Sequence, residues 1–562
     1  MSLPLFTADW RSLWSGHITP EATGAIYTKP AVVDFILDLA GFVATGEGAS
    51  GRLAERRVLE PSCGDGAFVS RVVARIIASE QARGGPIAWG DPVLARALTA
   101  VDLNPAAVAS AQAGVVQQLQ EAGCPAIRAH ALAEGWVREA DFLLEDLGQD
   151  YDLVAGNPPY VRVESLPRPV LAEYRARFET MGDRADVFIP FIERGIRATG
   201  KTGCLAFIVA NRWTKNLYGR RLRKLIAEHY HVRHFVDLAH TQPFESDVSA
   251  YPAVVVIDRD QGKETLAASL DDVEPETLAR VLKEAGSPAR ARRRHVQHFA
   301  SWYPDGSPWI ATSTQAHDEL RRLSELPTLE QSAPGTKVGI GVATGADGVF
   351  IVRDRPEGVE EDRLLRLAMP SDVRNAGVEW SGFYLLNPFA PADDGSLVTL
   401  ADYPGFRAYL DQHAEALKKR HVAKTRPAGW FRTIDRVWPS LVQRPKLLMR
   451  DIQDPNKPTV GLDTGRFYPH HNLYYVVSDG WPLAALQCLL RSRRVVDQVK
   501  AHSVQMRGGA IRWQAQVLRK VRVPALGSLS DELLFNLGQA GAHDDQRVVD
   551  GLADEAYRAA EA

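Results

Sequence analysis

Over the first 260 residues, short apolar segments with strand character alternate with segments of helical periodicity. The pattern predicts strands at 57–60, 97–102, 151–155, 205–210 and 253–257, and helices at 31–39, 68–77, 105–119 and 187–198. Strands separated by helices restrict the chain to an α/β fold with a parallel, doubly wound sheet. Apolar residues at these two periods are core by default.

The ends of the predicted strands carry the chemistry. The strand at 151–155 closes in Gly156 and runs into Asn157-Pro158-Pro159-Tyr160. Two prolines after the asparagine hold an extended, non-helical backbone. Pro159 has no N–H to compete for the Pro158 carbonyl. A side-chain amide, a rigid carbonyl and an aromatic ring suit a flat substrate bearing an exocyclic amino group. An N-P-P taken alone reads as a turn, so its meaning depends on what precedes it. The first strand ends in Glu60-Pro61-Ser62-Cys63-Gly64-Asp65-Gly66-Ala67-Phe68, a Gly-containing loop that lets the backbone approach a ligand. Its spacing is not G-x-G-x-x-G, and Glu60 and Asp65 suit an amino group better than a pyrophosphate. Asp102, at the end of the next strand, is placed for ribose hydroxyls. Asp141-Phe142 pairs an acid with a ring, as an adenine requires. In that order the acids describe S-adenosylmethionine: an amino-acid end, a ribose and an adenine. Cys63 reads as small filler.

The second half differs in composition. From 401 to 450 eleven basic residues face four acids, and from 491 to 522 nine face one, although the net charge of the 562 residues is only -3. Clustered basic charge is the footprint of phosphate contacts. Lys418, Lys419, Arg420, Arg507, Arg512 and Trp513 are the candidates for contact with a nucleic acid. The expected organisation is a catalytic domain at 1–262, a connection at 263–330 with a helix at 275–284, an aromatic-rich α+β recognition domain at 331–530, and an acidic tail at 531–562. Four scattered cysteines form no C-x-x-C, and neither a signal peptide nor a membrane-spanning run is visible, so a cytoplasmic setting is expected.

The order Tyr27-Thr28-Lys29-Pro30, Glu60 to Phe68, Asp102, Asp141-Phe142 and Asn157 to Tyr160 resembles the TaqI-like γ-class methyltransferases, which act on adenine N6 in DNA. The likeness covers most of 17–260. It extends loosely into Pro445-Lys446-Leu447-Leu448-Met449-Arg450 and His471-Asn472-Leu473-Tyr474. Departures are Gly64-Asp65-Gly66 in the cofactor loop and Ala210-Asn211, where many relatives carry a proline before the asparagine. The resemblance implies a Rossmann-like class I methyltransferase fold with a C-terminal DNA-recognition domain. It implies S-adenosylmethionine as methyl donor, no metal, and an adenine flipped out of duplex DNA. A monomer is expected, and a cognate restriction endonuclease or other defence proteins would be its functional partners. Asn157, Pro158 and Tyr160 would be catalytic, with Tyr160 and Phe244 stacking on the base. Tyr27, Thr28, Glu60, Ser62, Gly64, Gly66, Asp102, Asp141, Phe142 and Asn157 would hold the cofactor, and Phe188 either lines its pocket or packs in the core. Asn-Pro-Pro-Tyr also occurs in enzymes that methylate protein glutamine. An rRNA amino-methyltransferase and a non-enzymatic DNA-binding subunit are further alternatives.

Overall fold

The computed structural model describes residues 10–15, 26–46, 51–182, 185–239, 241–246, 251–260, 264–286, 296–299, 302, 306, 309, 319–320, 322–503 and 509–561. The chain divides into two compact units, Met1–Thr314 and Gln315–Ala562.

The first unit is built on one sheet. Its strands are β1 (Val58–Glu60), β2 (Leu98–Asp102), β3 (Val137–Glu139), β4 (Tyr151–Gly156), β5 (Thr199–Ala210), β6 (His231–Asp237), β7 (Pro252–Asp258), β8 (Thr265–Ser269) and β9 (Val296–Phe299). They lie in the order β3-β2-β1-β4-β5-β7-β6-β8-β9. The first five positions pair in parallel, and β7 runs antiparallel to both β5 and β6. All of β7 and most of β4 and β5 are buried, as expected of strands covered on both faces. The helix Phe188–Ala198 lies close on β5: a Cβ on Gly195 would fall 2.5 Å from Leu205 Cδ1. After β1 the chain builds towards one edge through β2 and β3, then returns to place β4 on the other side of β1. Strand order reverses there, so a ligand crevice opens at the carboxyl ends of β1 and β4. Glu60, Asp102, Asp141 and Asn157 all stand at or just beyond carboxyl ends of strands in this half of the sheet.

The stretch 263–330 is not simply a connection. It gives β8, β9 and the helix Pro275–Ala285 to the first unit, with Leu266 of β8 opposite His234 of β6. The Thr-Leu-Ala-Ala-Ser sequence of β8 has weak strand propensity, and pairing in the sheet decides its conformation.

In the second unit, Lys337–Ile340, Leu473–Val477, Lys446–Arg450 and Val460–Asp463 form an antiparallel sheet. A second four-stranded sheet joins Ile351–Val352, Tyr384–Leu386, Leu364–Ala368 and Tyr468–Pro469. The acidic stretch from 531 is no tail. It forms the helices Asp531–Ala540 and Gln546–Glu561, whose Leu533, Leu537, Val549, Ala553 and Tyr557 pack into the same core as Leu486 and Leu489. Apolar residues at helical spacing drive that burial; the surrounding acids hid the period in the sequence. Those acids meet the basic segment at 491–522. Arg494 lies between Glu319 at 2.8 Å and Asp554 at 2.7 Å, and the Arg493 N–H donates to Asp550 at 2.7 Å.

Candidate functional site

The loop after β1 is shaped by two glycines with positive φ, Gly64 at 54° and Gly66 at 100°. Gly66 begins the helix Ala67–Gln81 from the left-handed region, where only glycine carries no Cβ penalty. A Cβ there would also sit 3.2 Å from that of Ala111. Asp102 at the end of β2 is held from two loops: the N–H of Gly64, after β1, donates to its Oδ2 at 2.9 Å, and that of Asn104, just beyond β2, to its Oδ1 at 2.8 Å. These bonds fix the Asp102 carboxylate at the crevice, although burial raises its pKa. Glu60 is almost fully buried and its Oε2 has no partner among the described residues. Burial, with Asp102 and Asp65 nearby, pushes its carboxyl well above the ordinary carboxylate range. A buried acid left in this state is suited to a cationic ligand. The Cys63 thiol is also pushed up by burial, as befits filler rather than a nucleophile.

Two cavities follow the strand ends. One of about 600 Å³ is lined by residues that include Tyr27, Thr28, Glu60, Gly64, Asp65 and Asn157. The other, about 480 Å³, is lined by residues that include Trp14, Asp141, Phe142, Tyr174, Val187 and Phe191. Ser62, Asp102 and Pro159 belong to both walls. From one end to the other, the polar groups run Glu60 and Asp65, Asp102, then Asp141.

Asn157 is oriented by the N-terminal segment. Its Nδ2 donates to the Ile26 carbonyl at 2.8 Å and to Thr28 Oγ1 at 3.2 Å. Reversing the amide would set oxygen against a carbonyl oxygen, so the assignment follows from the network. Its Oδ1 is buried and has no partner among the described residues. The Ser62 hydroxyl donates to the Asn157 carbonyl at 3.2 Å, tying the loops after β1 and β4 together. Thr28 is held in turn by the segment carrying Phe244: the Lys29 N–H donates to Pro243 O and the Glu245 N–H to Tyr27 O, both at 3.0 Å.

Tyr160 and Phe244 are brought together, but they do not form two parallel walls. Their centroids lie 6.0 Å apart with planes at 80°, edge to face, and Phe244 is buried. The Tyr160 hydroxyl is buried without a partner among the described residues, and burial raises its pKa. Phe188 packs 6.4 Å from Tyr160 and contributes to neither cavity wall. Val187 and Phe191, one helical turn apart, take the place suggested for it. Leu103, Trp14, Tyr174 and Phe191 are wall residues that the sequence reading missed. No local motif marks them, because each reaches the cavity only through tertiary packing.

The second unit revises the DNA-contact candidates. Trp513 is fully buried in the core. The Arg420 guanidinium donates to the carbonyls of Thr344, Leu417, Trp430 and Arg432, so it braces three segments. Arg512 forms a two-pronged pair with Asp451. Lys446, counted in the basic cluster, is buried 2.8 Å from Asp463. Arg507 lies outside the described residues. Lys418 and Lys419 are exposed, the former over the Trp430 ring at 4.9 Å and the latter paired with Glu415 at 2.6 Å. Lys424, Arg426, Arg436 and Trp438 are exposed in the same stretch. Asp347, His470 and His471 place three potential metal ligands within 4.8 Å of one another, a grouping the sequence reading did not foresee. His470 Nδ1 accepts the Asn472 N–H at 3.2 Å, which leaves the proton of the neutral ring on the other nitrogen. Among the described residues no helix is long and apolar enough to cross a membrane.

A sheet with this reversal, acids at successive strand ends and an asparagine oxygen at the crevice define a methyltransferase-type site. Residues 100–244 match the family model of the Eco57I restriction-modification methylase. The chain is 43% identical over 529 residues to the type II methyltransferase M.PaeR7I of Pseudomonas aeruginosa, covering 93% of this chain and 90% of that one. It is 40% identical over 543 residues to the type II methyltransferase M.XhoI of Xanthomonas vasicola, covering 96% and 97%. It shares its fold with the type IIL restriction-modification enzyme MmeI, solved in complex with DNA. That likeness has a TM-score of 0.63 at 12% identity, over 99% of this chain and 79% of that one. The chain belongs to the type II DNA methyltransferases of restriction–modification systems.

Proposed function

We propose that this methyltransferase transfers the methyl group of S-adenosylmethionine to N6 of an adenine flipped out of duplex DNA. The observation that carries this reading is Asn157, whose NH2 is engaged and whose buried Oδ1 has no donor among the described residues. An oxygen in that state calls for an N–H from the substrate.

The residues present fit the cofactor. Glu60 and Asp65 would receive its ammonium group, Asp102 its ribose hydroxyls, and Asp141 with Phe142 its adenine. When bound, the sulfonium supplies an activated methyl group. The N6 lone pair of adenine is conjugated with the ring and is a poor nucleophile. Accepting its two N–H bonds at Asn157 Oδ1 and the Pro158 carbonyl favours a pyramidal nitrogen with its lone pair directed at the methyl. Transfer by in-line displacement then follows from positioning, and the excess proton leaves N6 for water.

Flipping the base costs roughly a few kcal/mol, and stacking on aromatic rings returns about 1–3 kcal/mol per base. In this reading Tyr160 and Phe244 supply those rings, and their edge-to-face contact must open for the base to enter. Exposed Lys418, Lys419, Lys424 and Arg436 would contact phosphate. A restriction endonuclease of matching specificity would be the functional partner.

The test is labelled S-adenosylmethionine with duplex DNA, RNA and protein acceptors, followed by nucleoside analysis. N6-methyladenine in the duplex is expected. Label confined to cytosine, RNA or protein would overturn the assignment.

A further inference from the structure

Asp141 is buried, with about 1% of its surface exposed. Three donors converge on it. Oδ2 accepts from the Trp14 indole N–H and the Tyr174 hydroxyl, each at 2.8 Å, and Oδ1 accepts from the Leu143 N–H at 2.8 Å. The donors come from separate parts of the fold: the helix Trp10–Trp14, the helix Arg168–Arg177, and the turn after β3. The short N-terminal helix is anchored a second time, by the Trp10 indole N–H donating to Glu145 at 2.7 Å. Trp14 and Tyr174 also line the same cavity as Asp141 and Phe142.

We propose that Trp14 and Tyr174 are positioning residues that hold Asp141 as a fixed, ionised acceptor for the amino group of the cofactor's adenine; the inference rests on the cofactor reading given above. Both donors engage Oδ2, which leaves Oδ1, with its remaining lone pair, as the oxygen available to an incoming N–H. A carboxylate this deeply buried favours its neutral form unless donors compensate. Burial raises the Asp141 pKa, while Trp14, Tyr174, the Leu143 N–H and the Arg194 guanidinium oppose that rise. A protonated Asp141 would present a donor or a weakened acceptor to an amino group. Losing an indole or phenol donor therefore affects cofactor affinity through the charge of Asp141 as well as through shape.

The experiment is calorimetric titration of the full chain with S-adenosylmethionine across a range of pH, on Trp14→Phe, Tyr174→Phe and Asp141→Asn. Each Phe variant keeps an aromatic ring and removes one donor. Each is expected to weaken binding roughly ten- to hundredfold, the scale of a hydrogen bond to a charged group. Ionised Asp141 is the binding form, so affinity falls as pH drops through its pKa; in both Phe variants that fall moves to higher pH. Asp141→Asn should bind weakly with the Asp141 part of the pH dependence lost, leaving only the contribution of Glu60. In steady-state assays KM for S-adenosylmethionine should rise more than kcat falls. If Trp14→Phe does not fold, Tyr174→Phe tests the same carboxylate from another helix. Unchanged affinity, or a loss equal at every pH, would overturn the proposal and leave the two rings as packing. A wild-type chain that binds no S-adenosylmethionine would instead overturn the reading of the cleft, and this inference with it.

Discussion

Single atoms decide what the crevice can do. Asn157 has its amide hydrogens engaged by Ile26 and Thr28 and its oxygen without a partner among the described residues. Replacing it with alanine removes the acceptor but leaves Glu60, Asp102 and Asp141 in place. Asn157→Ala should therefore lose about 10²–10³-fold in methyl transfer, the scale for removing one preorganised partner of a transition state. Cofactor binding should persist, as calorimetry would check; transfer at the wild-type rate would refute its role. Glu60 tests the opposite end. Burial holds its pKa well above the usual carboxylate value. The ionised form that pairs with an ammonium is present above that raised pKa and is lost as pH falls through it. Cofactor affinity should therefore weaken on the acid side, and Glu60→Gln should flatten that contribution while lowering affinity about tenfold or more.

Elements place these atoms through a few backbone constraints. Gly66 starts the helix Ala67–Gln81 at φ 100°, with Ala111 3.2 Å from where a Cβ would stand. Gly66→Ala should destabilise the first unit by roughly 1–2 kcal/mol from the left-handed backbone alone, and more from the close contact. A lower denaturation midpoint with a shift in cofactor affinity would show both effects; an unchanged midpoint would contradict the strain. The G-x-G and its position after a strand were legible in the sequence. Its close approach to the helix Pro105–Glu121 was not, because that distance depends on how two helices cross the sheet. Phe188 illustrates the same limit. The family resemblance left it either in the pocket or in the core, and it is Val187 and Phe191 that line the cavity.

For the whole molecule, charge counts were a poor guide to contact. The basic segment at 491–522 is largely engaged within its own unit, with Arg494 between Glu319 and Asp554, Arg512 on Asp451 and Arg519 near Glu330. The stretch around 418–438 keeps exposed cations beside exposed Trp438. Two neighbouring residues should therefore behave differently. Lys418→Ala should weaken DNA binding at all sequences and reduce the salt slope by about 1, as expected for one lost phosphate contact, with little change in melting temperature. Arg420→Ala should chiefly lower the melting temperature, because four backbone carbonyls lose their donor. Salt-dependent binding curves and thermal unfolding on both variants check the contrast. An unchanged salt slope in Lys418→Ala would remove that residue from the interface.

Periodicity determined the alternation of strands and helices, and residue type at the strand ends determined the run of acids and the Asn-Pro-Pro-Tyr turn. Both are local properties, carried by backbone geometry and side-chain chemistry within a few residues. The tertiary structure alone decided that β8 and β9 extend the sheet, that the acidic stretch from 531 is core helix, that Trp513 is buried, and that Arg420 is engaged by backbone carbonyls. It also decided that Trp14 and Tyr174 meet on Asp141, across sequence separations of 127 and 33 residues. Burial and long-range donors arise from packing between distant segments, which no local pattern encodes.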